Sequence, residues 1–100
     1  MQRTVFVVSD STGITAATFS NSVLSQFDQV EFDTVRIPYL DSIEKAEEAV
    51  ARINRCAADQ NAPPLVFSTL VDPAITETLR GANCIFFDLF GTFVQNIEEA

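Results

Sequence analysis

Four short apolar segments alternate with four segments of helical periodicity along the chain. The apolar segments predict strands at residues 4–9, 32–37, 65–69 and 84–88. Apolar side chains recurring at helical spacing predict helices that begin near residues 12, 41, 73 and 90. Strands that alternate with helices form a parallel sheet with right-handed crossovers. The pattern therefore predicts an α/β three-layer domain with a four-stranded parallel sheet, in the flavodoxin-like order 2-1-3-4 or, as the alternative, a Rossmann-type order.

Polar residues at the segment ends predict where the helices begin and stop. Asp41 followed by Glu44 has the spacing of a capping box at the start of the second helix. Asp72 and Pro73 have the form of an N-cap followed by proline at the first helical position. Gly81 is expected to end that third helix.

A cluster of small oxygen-bearing residues separates the first strand from the first helix. In the order 2-1-3-4 the topological switch point lies between strands one and three, so this cluster faces the end of the third strand. The positive end of the helix, with hydroxyls around it, favours an anion. The same residues are also good helix caps, so a purely structural joint is the alternative. The candidates for binding phosphate or another ligand are Ser9, Asp10, Ser11, Thr12, Gly13, Thr15, Ser68 and Thr69.

Composition excludes several function classes. A net charge of −8 with six scattered basic residues argues against nucleic acid as a partner. Histidine is absent, and Cys56 and Cys84 lack metal-ligand spacing, so no metal site is expected. No apolar run approaches the ~20 residues of a membrane span. The first four residues lack the layout of a secretory signal, so a single cytoplasmic domain over residues 1–100 is expected.

Nucleotide-binding motifs are missing. The three glycines, Gly13, Gly81 and Gly91, form neither a Walker-type phosphate loop nor a G-x-G-x-x-G turn. Asp88, in the run Phe87-Asp-Leu-Phe-Gly-Thr92, looks like the nucleophile of haloacid-dehalogenase-type phosphatases, but only eight residues follow Thr92. The alternative is that Asp88 caps the last helix and Gly91 relieves crowding there. The chain by itself is therefore expected to be catalytically inactive.

Three motifs in the same order and spacing resemble one family. Ser9–Ala16 (S-D-x-T-G-x-T-A), Leu65–Pro73 and Asp88–Val94 are similar to the N-terminal region of the regulatory proteins of pyruvate, phosphate dikinase and phosphoenolpyruvate synthetase. The resemblance implies a bifunctional serine/threonine kinase and phosphorylase. Such enzymes phosphorylate a threonine of the dikinase or synthetase with ADP, and remove the phosphoryl group with phosphate, releasing pyrophosphate.

The resemblance also implies what lies outside this chain. The family's nucleotide-binding P-loop belongs to a C-terminal domain, so ADP or ATP and phosphate are cofactors of the full-length family and none is expected for residues 1–100. The motifs do not distinguish the dikinase from the synthetase as partner. Ser11 stands where many members have glycine, and it would be strained if that position required a positive φ.

Two roles for the domain stay open. It either completes a phosphate or phosphothreonine site with the C-terminal domain, or serves as a non-catalytic module for target recognition or dimerisation. An apolar stripe at the C-terminus predicts a homodimer of the isolated chain through Phe90, Phe93, Val94 and Ile97.

Overall fold

A computed structural model of the protein describes residues 2–99, apart from the side chains of residues 93–95, 98 and 99. Four strands alternate with four helices, which confirms the predicted α/β architecture. In chain order the elements are β1 (Gln2–Val8), α1 (Ile14–Leu24), β2 (Glu31–Ile37), α2 (Ile43–Gln60), β3 (Leu65–Ser68), α3 (Pro73–Arg80), β4 (Ile85–Asp88) and α4 (Leu89–Glu99).

The sheet has the order β2-β1-β3-β4, and all three pairings are parallel. This confirms the flavodoxin-like order 2-1-3-4 and excludes the Rossmann-type alternative. Val8 at the end of β1 lies between Ile37 of β2 and Ser68 of β3. The switch point therefore lies where the loops after β1 and β3 leave the sheet.

The core has two layers, because alternate residues of β1 point to opposite faces of the sheet. On one face, Phe6 and Val8 pack with Ile53 of α2 and Leu79 of α3, and Cys56 and Cys84 lie half-buried against this cluster. On the other face, a smaller cluster contains Val5, Val7, Ala16, Leu24 and Phe67. A central strand buried on both faces is what the continuous apolar run predicted.

The apolar residues whose helical spacing predicts α1 only partly coincide with those that it buries: of Ile14, Ala17, Phe19, Val23, Leu24 and Phe27, Leu24 is buried and Ala17 is half-buried. Its buried positions are Ala16, Ser20 and Leu24, and the helix is shorter than the predicted span of residues 12–27. Small side chains allow the helix to lie close to the sheet, and the Ser20 hydroxyl donates to the Ala17 carbonyl (3.0 Å). The exposed members of the predicted set are Ile14, Phe19, Val23 and Phe27.

The predicted capping box at Asp41 is wrong. The N-cap of α2 is Ser42, which has the extended backbone that a cap requires and accepts a hydrogen bond from the Lys45 amide (3.2 Å). Asp41 instead pairs with the Lys45 ammonium (2.8 Å), which lowers the pKa of the Asp41 carboxyl. The helix start moved by one residue because the cap is chosen by backbone conformation rather than by side-chain type.

An aspartate directly precedes each of the remaining helices, α3 and α4. Asp72 accepts from the Ala74 amide (2.8 Å) at the start of α3, as predicted. Asp88 accepts from the Gly91 amide (2.8 Å), and its second oxygen lies 3.4 Å from the Arg80 guanidinium. Both oxygens of Asp88 are thus engaged, which confirms the interpretation of Asp88 as a helix cap.

Two further features of the described residues concern possible partners. Ile97 on α4 is 75% exposed, whereas the side chains of Phe93 and Val94 lie outside the described residues. The homodimer through this stripe therefore stays a prediction. Within residues 2–99, no helix combines the length and apolar character needed to span a membrane.

The contact between Asp88 and Gly91 gives a test of the cap. A Cβ on Gly91 would collide with the Asp88 carboxylate. We therefore expect Gly91→Ala to lower the free energy of unfolding by about 1 kcal/mol, the usual value of a lost cap. In an Asp88→Ala background the same change should raise it by about 0.5–1 kcal/mol, because alanine is the better helix residue. Urea unfolding of the four proteins measures both effects, and equal signs in the two backgrounds would contradict the account.

Candidate functional site

The loop that follows β1 is bonded through its backbone to the segment that follows β2. The Ser9 amide donates to the Ile37 carbonyl (3.2 Å), and the Leu40 amide donates to the Ser9 carbonyl (2.8 Å). The Tyr39 amide donates to the Ser11 carbonyl (2.9 Å). Three backbone bonds between two adjacent loops fix the direction in which the chain leaves β1.

Within the loop, the Ser9 side chain is buried and hydrogen-bonded, and Gly13 has a positive φ. Ser9 is buried, and its hydroxyl accepts from the Ser11 amide (3.1 Å) and lies 3.3 Å from the Ser11 hydroxyl. The positive φ falls at Gly13 (81°), the N-cap of α1, and not at Ser11, so the strain considered for Ser11 does not arise. No side chain caps α1. The hydroxyl cluster is therefore not explained as the cap of this helix.

Two charged side chains support the loop from either side. The Asp10 carboxylate accepts from the Val71 amide (3.4 Å), which connects the loop to the segment after β3. The Arg36 guanidinium donates to the Thr12 carbonyl (2.5 Å). Arg36 thus supports the backbone of the loop, and its charge lies beside Gly13.

The loop forms one wall of a cleft of about 410 Å³ at the switch point. Seven of the eight candidate residues line it: Ser9, Asp10, Ser11, Thr12, Gly13, Thr15 and Thr69. Ser68 does not. Its side chain is fully buried, and its hydroxyl accepts from the Leu70 amide (3.1 Å), so it stabilises the turn after β3.

The remaining residues of the cleft lining, which we call the apolar wall, are apolar, and the sequence analysis did not predict them as part of a site. They are Ile14, Phe19, Val71, Leu89 and Phe90. Ile14 and Phe19 belong to the apolar spacing that predicts α1 and Phe90 to the predicted dimer stripe, whereas Leu89 belongs to neither set. Their position was nevertheless signalled, because the first turns of both helices begin at the sheet edge that carries the loops.

The cleft lining combines hydrogen-bond donors with a single charged side chain. Hydroxyls and the amides at the start of α1 supply hydrogen-bond donors, and the helix end is partially positive. The lining contains one carboxylate, Asp10, and no basic side chain. Among residues 2–99 there is also no group of three metal-ligating side chains. The cleft can hold and orient a polar group, but its lining residues include no lysine or arginine to neutralise a transferring phosphoryl group, and the adjacent Arg36 is not one of them.

Comparison with known proteins shows the family to which the chain belongs. A family model described as Kinase/pyrophosphorylase matches residues 5–100, and the chain belongs to this family. The resemblance derived from the three motifs is therefore confirmed.

The relatives in this family carry a more specific name. A protein of Bordetella avium (strain 197N) named "Putative phosphoenolpyruvate synthase regulatory protein" is 63% identical over 98 residues. Proteins of the same name from Bordetella pertussis (strain Tohama I) and Legionella pneumophila (strain Corby) are 60% and 48% identical over 100 and 98 residues. These matches cover 98–100% of this chain but 36% of each relative. The chain thus spans about a third of the length of the curated relatives it matches.

Proposed function

We propose that this chain is the N-terminal α/β domain of a regulatory protein that acts on phosphoenolpyruvate synthetase. The complete protein would phosphorylate a threonine of its target with ADP as donor. It would remove that phosphoryl group with inorganic phosphate as acceptor, releasing pyrophosphate. Membership of the Kinase/pyrophosphorylase family and the names of the relatives support this proposal, and they favour the synthetase over the dikinase as target.

The observation that carries the proposal is the cleft at the switch point. The motif from Ser9 to Thr15 and the loop after β3 meet there, although about 55 residues separate them in the sequence. In the proposed role, the hydroxyls of Thr12 and Thr15 and the amides of α1 contact a phosphate or phosphothreonine. Gly13, without a Cβ and at positive φ, lets the backbone approach that group closely.

The charges of the cleft lining indicate which groups the rest of the longer protein would have to supply. Since the described cleft lining contains no cation, the groups that bind nucleotide and stabilise the transferred phosphoryl group would come from the P-loop region of the family. A second role, recognition of the target without contact to the reacting group, is favoured by the apolar wall. The two roles differ in what they require of Thr12.

The first test measures phosphoryl transfer in a fusion that places this chain in the matched region of the Bordetella avium relative. We expect Thr12→Val to lower ADP-dependent phosphorylation of phosphoenolpyruvate synthetase by about tenfold or more, as loss of one positioned donor does. Thr18→Val is the matched control, because Thr18 is exposed on α1 outside the cleft. The 100-residue chain alone should be inactive. Equal activity of the two variants would contradict the catalytic role and leave recognition.

The second test measures anion binding by the chain itself. In a phosphate titration followed by amide NMR shifts, we expect changes confined to residues 10–16. The dissociation constant should be on the order of millimolar, which corresponds to about −4 kcal/mol, because Asp10 and the net charge of −8 oppose binding. Thr12→Val should abolish the shifts and Thr18→Val should retain them. Unchanged spectra at tens of millimolar phosphate would assign the loop a structural role only.

A further inference from the structure

One face of the sheet is uncovered at its β4 edge. Ile85 and Phe87 point to the same side of β4, and each is 41% exposed. This side is the one that carries α1, because Phe87 stacks on Phe67 of the α1-side cluster, with ring centroids 5.1 Å apart and planes 19° apart. On the opposite side, Phe86 packs against the core beneath Arg80, whose guanidinium lies 5.0 Å from the ring centroid.

This exposure departs from what a parallel sheet requires. Parallel sheets normally carry helices on both faces, because their strands are apolar on both sides. On the α1 side, α1 packs on β1 and β3, and α4 contacts β3. Among the described side chains, those of α1 and α4 leave Ile85 and Phe87 each 41% exposed. We call Ile85 and Phe87 the open face. Val23 lies on α1, on the same side of the sheet, and is 36% exposed.

The open face is also free of charge. The sequence of α1 contains no charged residue along its eleven positions, although the whole chain has a net charge of −8. By contrast, α2 on the other side of the sheet carries acidic and basic residues along its length. Exposed apolar patches without charge are typical of surfaces that another protein surface covers.

The relatives indicate what that surface is. Each is matched over 36% of its length, so nearly two thirds of each relative lies outside the part that corresponds to this chain. We propose that in the longer protein this additional region covers the open face, with apolar side chains packed on Ile85 and Phe87. The proposal rests on the exposure of β4 and on the length of the relatives, and it does not depend on the proposed catalytic activity.

The test compares two proteins: the 100-residue chain alone, and the fusion in which this chain replaces the matched part of the Bordetella avium relative. Val23→Cys is reacted with a thiol reagent, and labelling is followed by peptide mass spectrometry to separate it from Cys56 and Cys84. We expect labelling at position 23 to be at least about tenfold slower in the fusion, because it then requires local opening. Ile43→Cys is the matched control: Ile43 is also 41% exposed but lies on α2, and its rate should be equal in both proteins.

A second substitution tests whether the same region of the longer protein packs on both Val23 and β4. Ile85→Lys places a charge in the proposed interface, where it would be buried without a partner. In the fusion it should restore fast labelling of the Val23→Cys variant. In the chain alone it should change nothing, because the lysine stem can extend to water.

The outcomes separate this proposal from its rivals. Equal labelling at position 23 in chain and fusion would overturn it. So would protection of the chain alone that rises with its own concentration, which indicates a second copy. Protection that appears only when phosphoenolpyruvate synthetase is added would overturn it as well and assign the face to the target. Because labelling is read without any activity assay, loss of the proposed kinase function would not affect the result.

Discussion

The backbone bonds that Ser9 makes to the end of β2 hold the site together. Its amide donates to Ile37 and its carbonyl accepts from Leu40, so both sides of the residue are fixed. Leu40 is itself buried in the core formed with α2 and α3. The position of the cleft wall is therefore connected to the burial of a large apolar side chain on the opposite face of the sheet. The loop has the stability of the core because its partner belongs to the core.

A strained residue lies within this connection. Tyr39 has a φ of 57°, a left-handed conformation that costs a bulky L-residue about 1–2 kcal/mol. Its amide donates to Ser11, and its carbonyl accepts from the Lys45 ammonium (3.2 Å). The surrounding bonds thus maintain a conformation that the residue does not prefer. Strain of this kind is found where a loop must take one particular path, as at ligand sites.

The fold could be predicted from the sequence wherever a single physical constraint decided the local structure. The continuous apolar run of β1 indicated a strand buried on both faces, and alternation with helices indicated a parallel sheet; the order 2-1-3-4 was preferred, with a Rossmann-type order as the alternative, until the structure decided between them. The helix α1 was predicted, but most of its buried face was not, because Ala16 and Ser20, which are buried there beside Leu24, are small and carry a weak hydrophobic signal. Prediction failed at Asp41 because the backbone conformation that selects Ser42 as the cap is set by the path of the preceding loop.

Only the polar residues of the candidate site and Gly13 could be predicted from the sequence. Oxygen-bearing residues at a strand end are visible in a sequence, and topology brings Thr69 to them from a distant segment. Ser68 has the same chemistry but belongs to the buried turn, since strand alternation and burial decide which of two neighbours faces the cleft. The apolar wall depends on where α1 and α4 lie on the sheet, which no local pattern specifies.

Native-state hydrogen exchange of the 100-residue chain tests most directly whether the site loop is a part of the core. The account predicts that the amides of Ser9 and Leu40 exchange only through global unfolding, with the same free energy and the same denaturant dependence as buried amides of β1. Exchange of these two amides through a low-energy local opening, while β1 remains protected, would contradict it.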